Sequence, residues 1–338
     1  MTSPSPTNKY SPNPTIGVRF VRWFFISFAL LSLTIFVWKR ADIFPWIGMC
    51  NAAGYEDGNF MSYCHSTRYG DYEHRAFWKE LEPGLTEQFS RAEVLFLGNS
   101  RAQYAFSTDA IRDFFLENAI PYYVFGFGMG SQNTVPEKMA EKFSLKPAAL
   151  LINADPFFTD DVSNTNKNML EDSSVREWEY KLKGWLQARQ RELCTNEPAG
   201  FTGWLFCSGT EQVLYRNRSD GRWQVEYFRE NKKIPVKVDN NQNLQVTLDQ
   251  AVTIAERFME NLGVRRECMI LTVTPRTSTP LKFARQLADR LGVQGIFPWP
   301  DNLVTVDDSH LDPDSATRWS TELMRQAGPV IKQCVNQQ

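Results

Sequence analysis

The sequence predicts an α/β domain, a parallel sheet covered by helices, preceded by a single membrane-spanning helix. Two observations carry this. From Val94 onward, short apolar runs alternate with turns and helical periods, and the stretch Trp23 to Trp38 reads WFFISFALLSLTIFVW without a charge. Strand and helix signals that alternate along a chain mark a parallel sheet with helices on its faces. With 338 residues, 42% hydrophobic and 22% charged, the chain can bury one sizeable core, and its composition argues against wholesale disorder. A net charge of -2 supplies no large basic field, so no nucleic-acid partner is expected.

The elements follow in order. Residues 1–17, rich in Ser, Thr, Pro and Asn, read as a disordered cytoplasmic tail, and residues 18–40 as the transmembrane anchor. Arg19 and Arg22 precede the uncharged run and Lys39 and Arg40 follow it. Such long basic side chains can snorkel, and the boundary tryptophans suit the membrane interface. No A-x-A cleavage site follows, and Ile47-Gly48-Met49 before Cys50 is a poor lipobox, so the helix is expected to remain as an anchor. The flanking charges set orientation weakly, but all six cysteines lie after the anchor, an even number on one side. That is the distribution expected where the C-terminal side is oxidising, which places the domain in the periplasm and the chain in the inner membrane as a single-pass protein. Short loops would pair Cys50 with Cys64 and Cys194 with Cys207. Cys268 and Cys334 remain, and a last helix running antiparallel to the strands would bring Cys334 to the edge where the fourth strand begins.

Residues 41–90 form an extracytoplasmic connector whose aromatic content predicts packing but whose fold is not legible. The α/β domain spans 91–335. Its strands are expected at Val94 to Leu97, Tyr122 to Phe125, Ala149 to Asn153 and Met269 to Thr274, with a fifth at either Val293 to Phe297 or Leu303 to Val306. Helices are expected over Thr108 to Asn118 after a Ser107 cap, Pro136 to Phe143, Leu248 to Leu262 after Thr247, and Leu281 to Leu291 before Gly292. The last starts with Asp312 as cap and Pro313 in the first turn, and Ala316, Trp319, Leu323 and Met324 mark its apolar face. Residues 156–246 interrupt the alternation and read as a large insertion, within which Val175, Trp178, Leu182, Trp185, Leu186 and Leu193 share one helical face expected to pack on the domain.

Ser100 follows the first strand in the run VLFLG-Asn99-Ser100-Arg101, at the strand end where open α/β sheets build their sites. A serine hydroxyl needs a base before it can attack, normally histidine. Of three histidines, His65 and His74 fall in the connector and read as surface residues, whereas His310 lies just before the cap of the final helix. Asp307, three residues earlier, could accept from its Nδ1 and turn Nε2 toward the serine; Asp308 is a possible substitute. The histidines are not at zinc-ligand spacing and the cysteines fit disulfides, so no metal and no cofactor is expected.

Gly-Asn-Ser after the first strand, with Asp-x-x-His-Leu before the last helix, resembles the first and last blocks of the SGNH hydrolase superfamily. The resemblance covers residues 94 to 327 apart from the insertion. It implies a flavodoxin-like three-layer α/β/α sandwich and an oxyanion hole built from the Ser100 N–H, a glycine after the second strand and an asparagine after the third. Gly130, with Gly128 as alternative, and Asn153 take those places here. The third block departs from the family's Gly-x-Asn-Asp and reads Ile152-Asn153-Ala154-Asp155, without the glycine. Membrane-anchored members of that superfamily, which this chain resembles, include proteins that move or remove acyl groups, often acetyl, on cell-surface polysaccharides. The resemblance therefore implies acyl transfer to, or removal from, a cell-surface polysaccharide or its precursor through an acyl-serine intermediate, with a multi-pass membrane acyltransferase as a possible partner. An esterase acting on small esters and a noncatalytic scaffold that binds glycan or a membrane partner are the alternatives.

Overall fold

The computed structural model describes residues 14–40, 56–64, 70–128, 132–171, 174–196, 213–224, 232–240, 244 and 246–337. The chain divides into two compact units, residues 1–48 and 49–338. The first holds helix α1, Pro14–Arg40, which begins inside the segment read as tail. At 27 residues it is about 40 Å long, more than the roughly 30 Å of a hydrocarbon core. Its Gly17–Thr34 stretch is long and apolar enough to cross a membrane, and Phe20, Trp23, Phe28 and Leu31 are all exposed, as lipid-facing side chains would be.

The second unit is mixed α/β around a five-stranded parallel sheet. Strands β1 (Asn59–Cys64) and β2 (Gly70–Asp71) and helices α2 (Tyr72–Trp78) and α3 (Leu85–Ser90) form the connector. Then come β3 (Val94–Gly98), α4 (Ser100–Phe106), α5 (Asp109–Glu117), β4 (Tyr122–Gly126), α6 (Thr134–Phe143) and β5 (Ala149–Asn153). The insertion holds α7 (Asn164–Glu171), α8 (Ser174–Asn196), β6 (Val213–Asn217), β7 (Trp223–Gln224) and β8 (Ile234–Pro235). The domain closes with α9 (Leu248–Leu262), β9 (Met269–Thr272), α10 (Leu281–Leu291), β10 (Gln294–Gly295), β11 (Val304–Thr305) and α11 (Pro313–Val335).

The central sheet runs β10-β9-β5-β3-β4 with every pairing parallel. Strands β3, β4 and β5 are buried along their whole length, which is why they read as continuous apolar runs. Helices cover both faces: Phe96 of β3 packs on Phe106 and Phe115, while Tyr123 and Phe125 of β4 point the other way, onto Phe77 and Phe89. Of the two candidates for the fifth strand, the one near Val293 joins the sheet. The one at Val304–Thr305 instead pairs antiparallel with β8 of the insertion. Thr108, not Ser107, caps α5, and helix α4, directly after the first strand, has no counterpart among the expected elements. Thr247 makes a full capping box on α9, and Asp312 caps α11 through the Ser315 N–H.

Connector and insertion form one structure. Strand β1 pairs antiparallel with β6, extending to an order β2-β1-β6-β7, so partners some 150 residues apart in sequence share a second sheet. The insertion then covers the open edge of β4. The Val124 N–H donates to Asp220 O at 2.8 Å, and the Arg216 guanidinium donates to Val124 O and to Gly126 O at 2.5 and 3.0 Å. Arg216 also pairs with Glu73 of α2 at 3.0 Å, both side chains buried, and its guanidinium lies over the Phe77 and Phe127 rings. Helix α8 is not wholly packed as its apolar face implied: Trp178 and Trp185 remain exposed.

Cys268 and Cys334 form a disulfide with Cα atoms 5.7 Å apart, tying the start of β9 to the end of α11. Cys64 and Cys194 are also disulfide-bonded, while Cys50 and Cys207 lie outside the described residues. Replacing both Cys268 and Cys334 by serine should lower unfolding free energy by about 2–4 kcal/mol, read from urea melts; an unchanged midpoint would contradict a stabilising role.

His74 is fully buried, contrary to its reading as a surface residue, and stacks near Phe127 at 4.8 Å. Burial, then the charges of Arg216 and Arg75, push its pKa down to about 3. As pH falls through the ordinary histidine value of about 6.5, the unfolded chain takes up a proton that folded His74 refuses until about 3. The domain should therefore lose stability across that window. His74→Gln should lose less of it between pH 7 and pH 5 in urea melts, as roughly expected from removing one such group; equal losses would exclude His74 as the source.

Candidate active site

The site gathers at the carboxyl ends of β3 and β5, the two neighbours from which the chain winds to opposite edges of the sheet. Crevices form at such switch points. Gly98 ends β3 because a side chain there would collide with Ala102 Cβ and lie 3.0 Å from Asn153 Cβ. Asn99 then turns the chain into α4, its side chain accepting from the Arg101 N–H at 3.1 Å and donating to Asp155 O at 2.9 Å. Ser100 thus stands at the first position of a helix held to the loop after β5.

His310 arrives from the other end of the domain. A tight turn closes with the Val306 N–H donating to His310 O at 2.9 Å, and Asp308, at φ 71°, supplies its left-handed corner. Asp308 gives its carbonyl to Thr277 and does not serve the ring. Asp307 does: Oδ2 lies 2.8 Å from His310 Nδ1, while Oδ1 accepts from the Ser309 and His310 N–H groups at 3.1 and 2.8 Å. His310 Nε2 lies 2.9 Å from Ser100 Oγ. Burial pushes the Asp307 pKa up, but the hydrogen bond and charge of His310, with the two backbone donors, outweigh it and hold the carboxyl below its ordinary value. Tyr104 packs against the imidazole with ring centres 4.6 Å apart, and Trp223 of the insertion packs on Tyr104 in turn.

The remaining expected residues divide. Asn153 is buried at the end of β5, accepting from the Thr274 N–H at 2.9 Å and holding its Nδ2 3.5 Å from Asn99 Oδ1. Gly130 lies outside the described residues, as does His65. The Gly128 N–H donates to Glu73 at 3.4 Å, which commits the alternative glycine to the buried ion pair. Among the described residues no group of three or more His, Cys, Asp or Glu side chains could hold a metal ion.

Sequence reasoning missed an ionic cluster beside the serine. The Asp155 carboxylate, fully buried, is gripped by Arg276 at 2.6 and 3.2 Å and approached by Arg101 Nε at 3.4 Å. Arg101 also donates to Asp155 O at 3.1 Å and reaches Ser309 Oγ at 3.5 Å. One guanidinium thereby spans the serine helix, the loop after β5 and the loop of His310. The charge of Asp155, the last residue of the divergent third block, is thus paired with two cations.

Searches against protein-family models, curated proteins and solved structures each return no match. Removing one partner from a buried pair strands the other charge, so Asp155→Ala should destabilise the domain by about 3–5 kcal/mol. Urea unfolding checks this; a loss below about 1 kcal/mol would mean that the cluster is not a structural anchor.

Proposed function

We propose that this chain is a membrane-anchored SGNH-type serine enzyme that transfers an acyl group, acetyl by preference, to a cell-surface polysaccharide or removes one from it. The observation that carries the reading is the hydrogen-bonded chain Ser100 Oγ, His310 Nε2, His310 Nδ1, Asp307 Oδ2, with spacings of 2.9 and 2.8 Å. The strand order also supports it, since numbering the five parallel strands along the chain gives 2-1-3-4-5, the order of flavodoxin-like folds. A disulfide in the domain and an N-terminal helix fit for a membrane support a periplasmic domain on an inner-membrane anchor.

Ser100 Oγ attacks the acyl carbonyl carbon while His310 Nε2 takes its proton, and Asp307 fixes the tautomer and stabilises the imidazolium. The Ser100 N–H, at a helix position without an intrahelical acceptor, is placed to receive the oxyanion, with Asn153 Nδ2 and Gly130 as further donors. Collapse breaks the acyl C–O bond, and His310 returns the proton to the leaving alcohol. Water or a sugar hydroxyl, giving its proton to His310 Nε2, then attacks the acyl carbon, and as the bond to Ser100 Oγ breaks His310 returns that proton to the serine.

A noncatalytic scaffold is the second reading, and one observation favours it: the Asn153 amide, with no glycine before it, faces Asn99 rather than an open site. Turnover decides between them. With the full chain in detergent, Ser100→Ala should abolish hydrolysis of 4-nitrophenyl acetate without shifting the melting temperature, and Asp307→Asn should lower kcat by about 10³–10⁴. Wild-type turnover no faster than that of Ser100→Ala would establish the scaffold.

A further inference from the structure

A second cavity lies apart from the serine. It measures about 350 Å³, within the range of small-ligand sites, and none of Ser100, His310 and Asp307 lines it. Connector, helix α8 and the end of β6 build it together. Its floor is fixed and polar: Tyr72 Oη donates to Glu82 Oε1 at 3.0 Å, and Arg218 Nη2 donates to Glu82 Oε2 at 2.9 Å. Met61 and Leu81 supply apolar surface, and the Trp185 indole stands at the rim, 56% exposed. Gly184 keeps the cavity open, since a Cβ there would lie 3.0 Å from Tyr72 Oη.

Charge narrows the ligand. Among the described residues, Arg218 pairs with Glu82, while Lys181 and Arg191 also line the cavity and pair with carboxylates that do not line it. Lys181 pairs with Glu177 one helical turn away, and Arg191 pairs with Asp57, which is 98% exposed. Each pair has one partner open to solvent, which weakens it relative to a buried pair and leaves the cation able to meet a further carboxylate. An exposed indole, a hydrogen-bonding floor and two cations in the lining together suit a sugar ring: its C–H face stacks on the indole, its hydroxyls meet the floor, and a ring carboxylate meets Lys181 and Arg191.

We propose that this cavity is a saccharide subsite that takes a uronate unit, holding an acidic polysaccharide on the domain away from Ser100. Only the choice of a polysaccharide as the natural ligand rests on the reading above; the cavity's chemistry stands without it. Calorimetric titration of the full chain in detergent with tetrasaccharides of glucuronate, galacturonate and mannuronate, and with neutral cellotetraose, tests it. At least one uronate should bind, and more tightly than cellotetraose. Trp185→Ala should weaken it at least tenfold, and Lys181→Gln with Arg191→Gln should remove the preference over cellotetraose. Hydrolysis of 4-nitrophenyl acetate should be unchanged in both variants. No uronate binding by the wild type, or binding indifferent to Trp185→Ala, would overturn the proposal. Retained binding in Ser100→Ala separates this outcome from the fate of the catalytic reading.

Discussion

Five strands that all run in one direction oblige every connection to carry the chain back to the start of the sheet, so the loops that leave the strands collect at one edge. Ser100 after β3, Asn153 at the end of β5 with Asp155 beyond it, and Arg276 after β9 meet there for that reason, and the loop after β11, a strand paired antiparallel with β8 outside the central sheet, brings His310 to the same place. Ser100 and His310 are 210 residues apart, and no local element could join them. The crossing between β3 and β5 opens the crevice, and the small residues Gly98 and Ala102 let Ser100 start a helix within van der Waals reach of β5.

Geometry at that edge is secured by charge as much as by packing. Asp155 with Arg276 and Arg101 fastens three loops beneath the serine, and Asp307 fastens the fourth through two backbone donors. A second buried pair, Glu73 with Arg216, performs a comparable task at the β4 edge. It joins the connector to the insertion and fixes the carbonyls of Val124 and Gly126 and the N–H of Gly128. Burying such a pair is costly, and apolar replacements are often no less stable. What the apolar version could not supply is directed hydrogen bonds to one particular strand end. Burial raises the Glu73 pKa, and the Arg216 charge, with hydrogen bonds from Trp223, Arg216 and Gly128, opposes it.

The sheet was legible where its strands are fully buried and therefore unbroken apolar runs; Val94 to Leu97 and Ala149 to Asn153 fall within the observed strands, whereas the short, exposed edge strand β10 gave no such run. The helices were legible where a cap announced them, as at Thr247 and Asp312. Helix α4 was not, because seven residues give too short a period and its start coincides with the turn that carries Ser100. Position in the chain drew attention to Ser100, Asp307 and His310, but not to Arg101 or Arg276, whose partner Asp155 is supplied by a different loop. The pairing of β1 with β6 likewise depends on contacts about 150 residues apart, and His74 is buried against Phe127, more than 50 positions away in sequence.

Covalent trapping reads most directly whether His310 makes the Ser100 hydroxyl nucleophilic. Wild-type chain in detergent, treated with a fluorophosphonate probe and digested, should yield a single modified peptide with the adduct on Ser100. His310→Ala, with the same melting temperature, should yield none at the same probe concentration. A wild-type chain that takes up no label, or labelling that persists at Ser100 without His310, would contradict the account.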